Sequence, residues 1–133
     1  MGFTMNYWFI DDDEICLFLA EKLCENANVD VKARLFNSVD SLYEAINGMD
    51  TSCVPDVIFM DLYLGNEGKT VLKRKDFARF ITENKIRLYV ISASISDKDQ
   101  EWVKSFSYVH EFLYKPLTVR MIREAQNTQD NPV

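Results

Sequence analysis

Pro55-Asp56-Val57-Ile58-Phe59-Met60-Asp61-Leu62 is the stretch from which the fold can be read. Four consecutive large apolar residues stand between an acid and a second acid. A strand with one wet face would alternate apolar and polar residues. An unbroken run of this length fits a strand buried on both faces, as in a parallel sheet covered by helices. The pattern recurs on either side. Tyr7-Trp8-Phe9-Ile10 ends abruptly in Asp11-Asp12, and Leu88-Tyr89-Val90-Ile91 ends in Ser92. Val31 to Phe36 reads as a further strand and Phe112-Leu113-Tyr114 as a short fifth one, followed by Lys115-Pro116.

Helical periodicity fills the intervals. Ile15, Leu19 and Leu23, flanked by Cys16, Phe18 and Ala20, form a stripe behind Asp13 and Glu14, whose charges complement a helix dipole. This stripe is expected to be buried, with Cys16 and Cys24 serving as small hydrophobes on it. Asn37 or Ser38 can cap a helix that turns Val39, Leu42, Tyr43 and Ile46 inward and stops at Gly48. Beyond the loop Gly65 to Gly68, one helix carries Lys73-Arg74-Lys75 and then Phe77, Phe80 and Ile81. Asp97 to Phe106 predicts a helix with Trp102, Val103 and Phe106 inward, and Thr118 can cap a last one bearing Val119, Ile122 and Ala125. Alternating βα units predict an α/β fold, a doubly wound five-stranded parallel sheet with helices on both faces. The domain is expected over residues 5–127, with 128–133 a polar, disordered tail.

Composition narrows the function. The 133 residues suffice for one domain, and 15 Lys+Arg against 21 Asp+Glu give a net charge of −6. That balance disfavours direct nucleic-acid binding and adhesion to anionic lipid. No apolar run approaches the ~20 residues of a membrane helix. Met1 to Asn6 has no basic start and no small-residue cleavage site. The three cysteines, Cys16, Cys24 and Cys53, are widely spaced, and His110 is the single histidine, so neither a disulfide framework nor a zinc site is expected. A reducing, cytoplasmic location fits these features.

In open α/β sheets, ligands sit beyond the carboxyl ends of the strands. Asp11 and Asp12 follow the first strand, Asp61 the third, Ser92 the fourth and Lys115 the fifth. Taken singly, each has an ordinary structural role: a helix cap, a turn acid, a core hydroxyl, a solvated charge. Their joint placement on one edge is what implies chemistry. Three carboxylates in contact repel by on the order of several kcal/mol per pair, which a hard divalent cation, an ammonium or both must offset. Mg²⁺ takes oxygen ligands, keeps waters and meets phosphate oxygens. With the ammonium of Lys115 and a hydroxyl, the set suits a phosphoryl group, and an aspartate is a competent acceptor for one.

Taken in order, Ile10-Asp11-Asp12-Asp13-Glu14, Pro55 to Leu62, Val90-Ile91-Ser92-Ala93 and Phe112-Leu113-Tyr114-Lys115-Pro116 resemble the response-regulator receiver domain of two-component signal transduction, over nearly the whole chain. The resemblance implies a flavodoxin-like fold and a signalling domain rather than a conventional enzyme. It implies that Asp61 accepts a phosphoryl group from a histidine kinase or phosphotransfer protein, and that the domain assists its own phosphorylation and dephosphorylation. Asp12, Asp61 and the backbone carbonyl of Tyr63 would hold Mg²⁺, with Asp11 contributing through a metal-bound water or indirectly. Ser92 would hydrogen-bond the phosphoryl group, Lys115 would pair with it, Ala93 would leave it room, and Phe112 matches an aromatic position that moves inward on activation. Asp61 to Gly68 lacks the family's usual proline and one residue, so that loop is expected to sit differently. No stretch after Lys115-Pro116 is long enough for a DNA-binding output domain. Output is therefore expected through a downstream protein target, a phosphorelay or self-association.

Rival readings fit less well. Gly65-Asn66-Glu67-Gly68-Lys69-Thr70 imitates a phosphate loop, but Tyr63 stands where its first glycine belongs. Asp11-x-Asp13 resembles the first motif of haloacid-dehalogenase-like phosphatases with an aspartate nucleophile, but no acidic pair follows Lys115. The remaining alternative is a receiver-like interaction module that takes no phosphoryl group.

Overall fold

The computed structural model describes residues 4–49, 53–94 and 96–127. Its strands are β1 (Met5–Ile10), β2 (Val31–Phe36), β3 (Val57–Asp61), β4 (Arg87–Ser92) and β5 (Val109–Tyr114). They form one five-stranded sheet in the order β2-β1-β3-β4-β5, every neighbouring pair parallel. The helices are α1 (Glu14–Asn26), α2 (Val39–Gly48), α3 (Gly68–Lys73), α4 (Lys75–Glu83), α5 (Asp97–Lys104) and α6 (Val119–Asn127). The expected flavodoxin-like doubly wound architecture is the one observed.

The unbroken apolar runs arise because successive side chains enter two different cores. Trp8, Ile10, Ile58, Met60, Leu88 and Val90 pack into the layer shared with α2, α3, α4 and α5. Tyr7, Phe9, Val57, Phe59, Tyr89 and Ile91 alternate with them and pack into the layer shared with α1 and α6. Burying one such side chain is worth roughly 1.5–3 kcal/mol, so the three central strands anchor both layers. Side-chain caps start the helices: Ile15 N–H donates to Asp13 Oδ1 at 2.9 Å, Ser41 N–H to Ser38 Oγ at 3.1 Å, and Met121 N–H to Thr118 Oγ1 at 3.2 Å.

Several expectations are corrected. β5 begins at Val109 rather than Phe112, because Val109 and Glu111 pair with Leu88 and Tyr89 across a bulge. The single helix expected after Gly68 is two, separated by Arg74 in an extended conformation (φ −76°, ψ 129°). Arg74 lies 4.1 Å from the Tyr43 ring centroid and pairs with Asp76 at 2.8 Å. Helix α5 ends at Lys104, and Phe106 packs on the Trp102 ring from beyond it. On α1 the buried residues are Leu17, Ala20 and Cys24, whereas Ile15, Phe18 and Leu19 are 70%, 55% and 53% exposed. The helix is apolar on two arcs, and periodicity alone does not say which one meets the sheet. Only Cys24 of the three cysteines is a core residue; Cys16 is half-buried and Cys53 exposed. The 128–133 tail lies outside the described residues. Among the described residues no helix is long and apolar enough to cross a membrane.

Candidate functional site

The chain leaves β1 for β2 on one side and returns to β3 on the other, so the order of the sheet reverses between β1 and β3. Crossovers diverge there and leave a crevice at the carboxyl edge. Backbone bonding continues one residue past the strands. Asp11 N–H donates to the Phe36 carbonyl at 3.0 Å, Leu62 N–H to Ile91 at 2.8 Å, and Lys115 N–H to Ser92 at 2.9 Å. Side chains at this edge therefore start from a fixed row.

Asp11, Asp12 and Asp61 each present a carboxylate oxygen within 4.8 Å of the others, the first and last buried and Asp12 exposed. Lys115 reaches between them, its Nζ 2.7 Å from Asp11 Oδ2 and 3.5 Å from Asp61 Oδ2. Burial lifts the Asp61 carboxyl above the usual carboxylate range and Asp11 adds to the lift, while the Tyr63 N–H at 3.1 Å and Lys115 oppose it. Burial works against the Lys115 charge, but the hydrogen bond to Asp11 and the charges of Asp61 and Asp11 outweigh it and hold the ammonium well above its ordinary pKa. Among the described residues, one ammonium, bonded to two of them, thus stands against three clustered acids. The deficit of positive charge, with an all-oxygen donor set and one exposed member, fits a hard divalent cation.

The loop after Asp61 folds back onto this cluster. Gly65, in the left-handed region at φ +51°, donates its N–H to Asp12 Oδ2 at 3.2 Å. At Gly68 a Cβ would stand 1.9 Å from the Leu62 carbonyl oxygen, so only glycine permits the return. The glycines that imitate a phosphate loop in the sequence serve this turn. The Tyr63 carbonyl accepts from Asn66 N–H at 3.3 Å.

Ser92 ends β4 fully buried, its Oγ accepting from Ser94 N–H at 3.0 Å. Phe112 already points inward, in the core layer on the α5 side and edge-on to Tyr114. The structure therefore gathers Asp11, Asp12, Asp61 and Lys115 into one cluster, with Ser92 on the same sheet edge and Phe112 in the layer behind.

Two neighbours escaped the sequence reading. The Cys16 thiol lies 3.6 Å from Lys115 Nζ, and burial followed by Asp11 raises its pKa. Beyond Tyr63, Asp99 on α5 receives Lys69 Nζ on Oδ1 at 2.9 Å and the Tyr63 hydroxyl on Oδ2. Those two bonds, Lys69 first, hold the Asp99 carboxyl below its usual range. Partners 30 to 99 residues apart leave no local pattern to find.

No protein-family model and no curated protein sequence matches the chain. Solved structures do. A two component response regulator from Cytophaga hutchinsonii matches at TM-score 0.80 and 21% identity, over 99% of this chain and 100% of that one. The signal receiver domain of a DNA binding response regulator protein from Colwellia psychrerythraea 34H matches at 0.74 and 15%, over 95% and 98%. A response regulator protein from Burkholderia pseudomallei, solved with a phosphorylated aspartic acid, calcium ion and citrate, matches at 0.70 and 20%, over 97% and 76%. With this likeness over nearly its full length, the chain has the fold of the response-regulator receiver domains.

Proposed function

We propose that this chain is a Mg²⁺-dependent phosphoacceptor that takes a phosphoryl group on Asp61 from a histidine kinase or phosphotransfer protein and passes the signal to a partner protein. One observation carries this reading: three carboxylates lie within 4.8 Å of one another at the switch point of a receiver fold, and two of them, Asp11 and Asp61, share the half-buried ammonium of Lys115. An Asp61 carboxylate oxygen forms the new P–O bond while the P–N bond of a phosphohistidine breaks, its electron pair returning to the imidazole. Asp12, Asp61 and the Tyr63 carbonyl would hold Mg²⁺, with Asp11 contributing through a bound water or indirectly. Mg²⁺ neutralises charge on the incoming phosphate when bound. Lys115 pairs with the phosphoryl oxygens. The Ser92 hydroxyl accepts from Ser94, which leaves its own proton free to donate to the phosphoryl group.

Residues 5–127 form the working domain, in the cytoplasm. The new charge draws Ser92 toward Asp61 and biases the packing of Phe112. Carrying a two-state balance from 1:99 to 99:1 takes ~5.5 kcal/mol of preference for the active state. Output runs through a downstream protein or self-association rather than nucleic acid. The exposed apolar arc of α1, with Ile15, Phe18 and Leu19, begins directly after the acids and offers a protein donor a surface beside Asp61.

Intact mass after incubation with acetyl phosphate and Mg²⁺ tests the assignment. The expected result is a gain of one phosphoryl group that Asp61→Asn lacks. An unchanged wild-type mass with both acetyl phosphate and a phosphohistidine protein would overturn it and leave an interaction module.

A further inference from the structure

We propose that Tyr63, Asp99 and Lys69 form a latch coupling the Asp61 carboxylate to helix α5, by a route separate from Ser92 and Phe112. Tyr63 belongs to both ends. Its backbone N–H donates to Asp61 Oδ1 at 3.1 Å, and its hydroxyl donates to Asp99 Oδ2. Asp99 sits in the first turn of α5 and is only 7% exposed. Its other oxygen is taken by Lys69 at 2.9 Å, from the first turn of α3. Both oxygens of this buried carboxylate are thus bonded by the segment that follows Asp61.

That arrangement resists simple release. A buried carboxylate stripped of a partner bears its whole desolvation penalty, so α5 is held to follow the 61–69 segment. Lys69 strengthens the link by lying over the rings of Tyr63 and Trp102, at 5.4 and 5.6 Å from their centroids. A second thread reaches the same point. Ser94 N–H donates to Ser92 Oγ at 3.0 Å, Ser96 N–H to Ser94 Oγ at 3.2 Å, and Asp99 N–H to Ser96 Oγ at 3.3 Å. Whatever repositions the Asp61 carboxylate therefore acts on the first turn of α5, and by reciprocity whatever binds α5 acts on Asp61. The use of the latch in signalling rests on the proposed function; the coupling itself does not.

Amide hydrogen exchange of the full chain tests it, with Mg²⁺ alone as the probe and calorimetry to verify that it binds. Helix α5 supplies none of the clustered acids. In wild type, Mg²⁺ is expected to slow exchange over residues 97–104 by about fivefold or more, the low end of ordinary coupling between sites. Asp99→Ala, on a helix outside the acid cluster, should still bind Mg²⁺ but lose that response, and Lys69→Met should weaken it. An undiminished response in Asp99→Ala, or a silent α5 in wild type with Mg²⁺ demonstrably bound, overturns the latch. Should calorimetry detect no binding, the metal reading of the site fails instead. Asp61→Ala then supplies the perturbation by removing the acceptor of the Tyr63 N–H. It should speed exchange in α5 in the wild-type background and not in Asp99→Ala, and equal effects in both overturn the coupling.

Discussion

Asp56 and Asp61 stand at the two ends of β3 and live in opposite circumstances. Asp56, at the amino end, is consumed by the sheet. Its Oδ2 accepts from Asn6 N–H at 2.8 Å, its own N–H donates to the Asn6 carbonyl at 2.8 Å, and its carbonyl accepts from Arg87 N–H at 3.1 Å. It joins β1, β3 and β4 through its carboxylate and its own backbone groups. Asp61, at the carboxyl end, is crowded by Asp11 and Asp12 and shares one ammonium with Asp11. The same residue type is a finished structural element at one edge and an unbalanced charge at the other. A folded chain retains such imbalance where an external ligand completes it.

The largest effect is expected from Lys115→Met. The variant keeps the stem of the side chain but removes the only positive charge bonded to Asp11 and Asp61 among the described residues. Lys115 is half-buried, but its loss leaves two buried carboxylates uncompensated, at a cost of up to ~3–5 kcal/mol, which urea denaturation at neutral pH would read. Part of the loss should return on acidification. Without the ammonium the Asp61 pKa rises further above its unfolded value, so the folded state binds the extra proton. The variant then gains stability as pH falls through the raised folded pKa toward the unfolded value near 3.9. A loss under about 1 kcal/mol, or one indifferent to pH, would mean that Lys115 does not hold these acids together.

The two ends of β3 should next respond with opposite sign. Asp56→Ala removes a charge-assisted bond to Asn6 and should cost ~1.5–3 kcal/mol. Asp61→Asn keeps the volume and an acceptor for the Tyr63 N–H while removing a repelled charge. It should stabilise the metal-free protein by ~0.5–2 kcal/mol at pH 7. Because the folded Asp61 pKa is raised, wild type recovers this difference as it protonates. The advantage of Asp61→Asn is therefore full above that pKa and gone below the unfolded one. Thermal melts across that window decide the matter, and destabilisation by both substitutions would erase the distinction between the two aspartates.

The same contrast explains what the sequence disclosed. β1, β3 and β4 are legible because burial on two faces writes itself as unbroken apolar runs. Asp11, Asp12, Asp61, Ser92 and Lys115 are legible because a parallel sheet sends every strand end to one edge, turning distant positions into neighbours. The start of β5 is hidden because His110 and Glu111 of this edge strand face solvent and carry no apolar signal. The break at Arg74 has no proline or glycine to announce it; it goes with side-chain contacts to Tyr43 and Asp76. Tyr63, Lys69 and Asp99 meet only because a turn, a short helix and a crossover happen to converge.

Helix α1 poses the comparison in its mildest form, since adjacent residues there differ only in which arc they occupy. Leu17 is 7% exposed and Phe18 55%. Leu17→Ala opens the core and should cost ~2–5 kcal/mol. Phe18→Ser touches no packed layer and should change stability by no more than about 0.5 kcal/mol. Phe18 is nevertheless the larger apolar surface, and water around it is released only when something covers the helix. If a protein donor docks on this arc, Phe18→Ser should slow phosphoryl transfer from a phosphohistidine protein by roughly tenfold, the loss of one modest contact residue. Labelling by acetyl phosphate, which needs no docking surface, should proceed at the wild-type rate. Equal slowing with both donors would trace the effect to the Asp61 cluster rather than to the helix face. Unchanged rates with both would leave the exposed arc of α1 without a part in donor recognition.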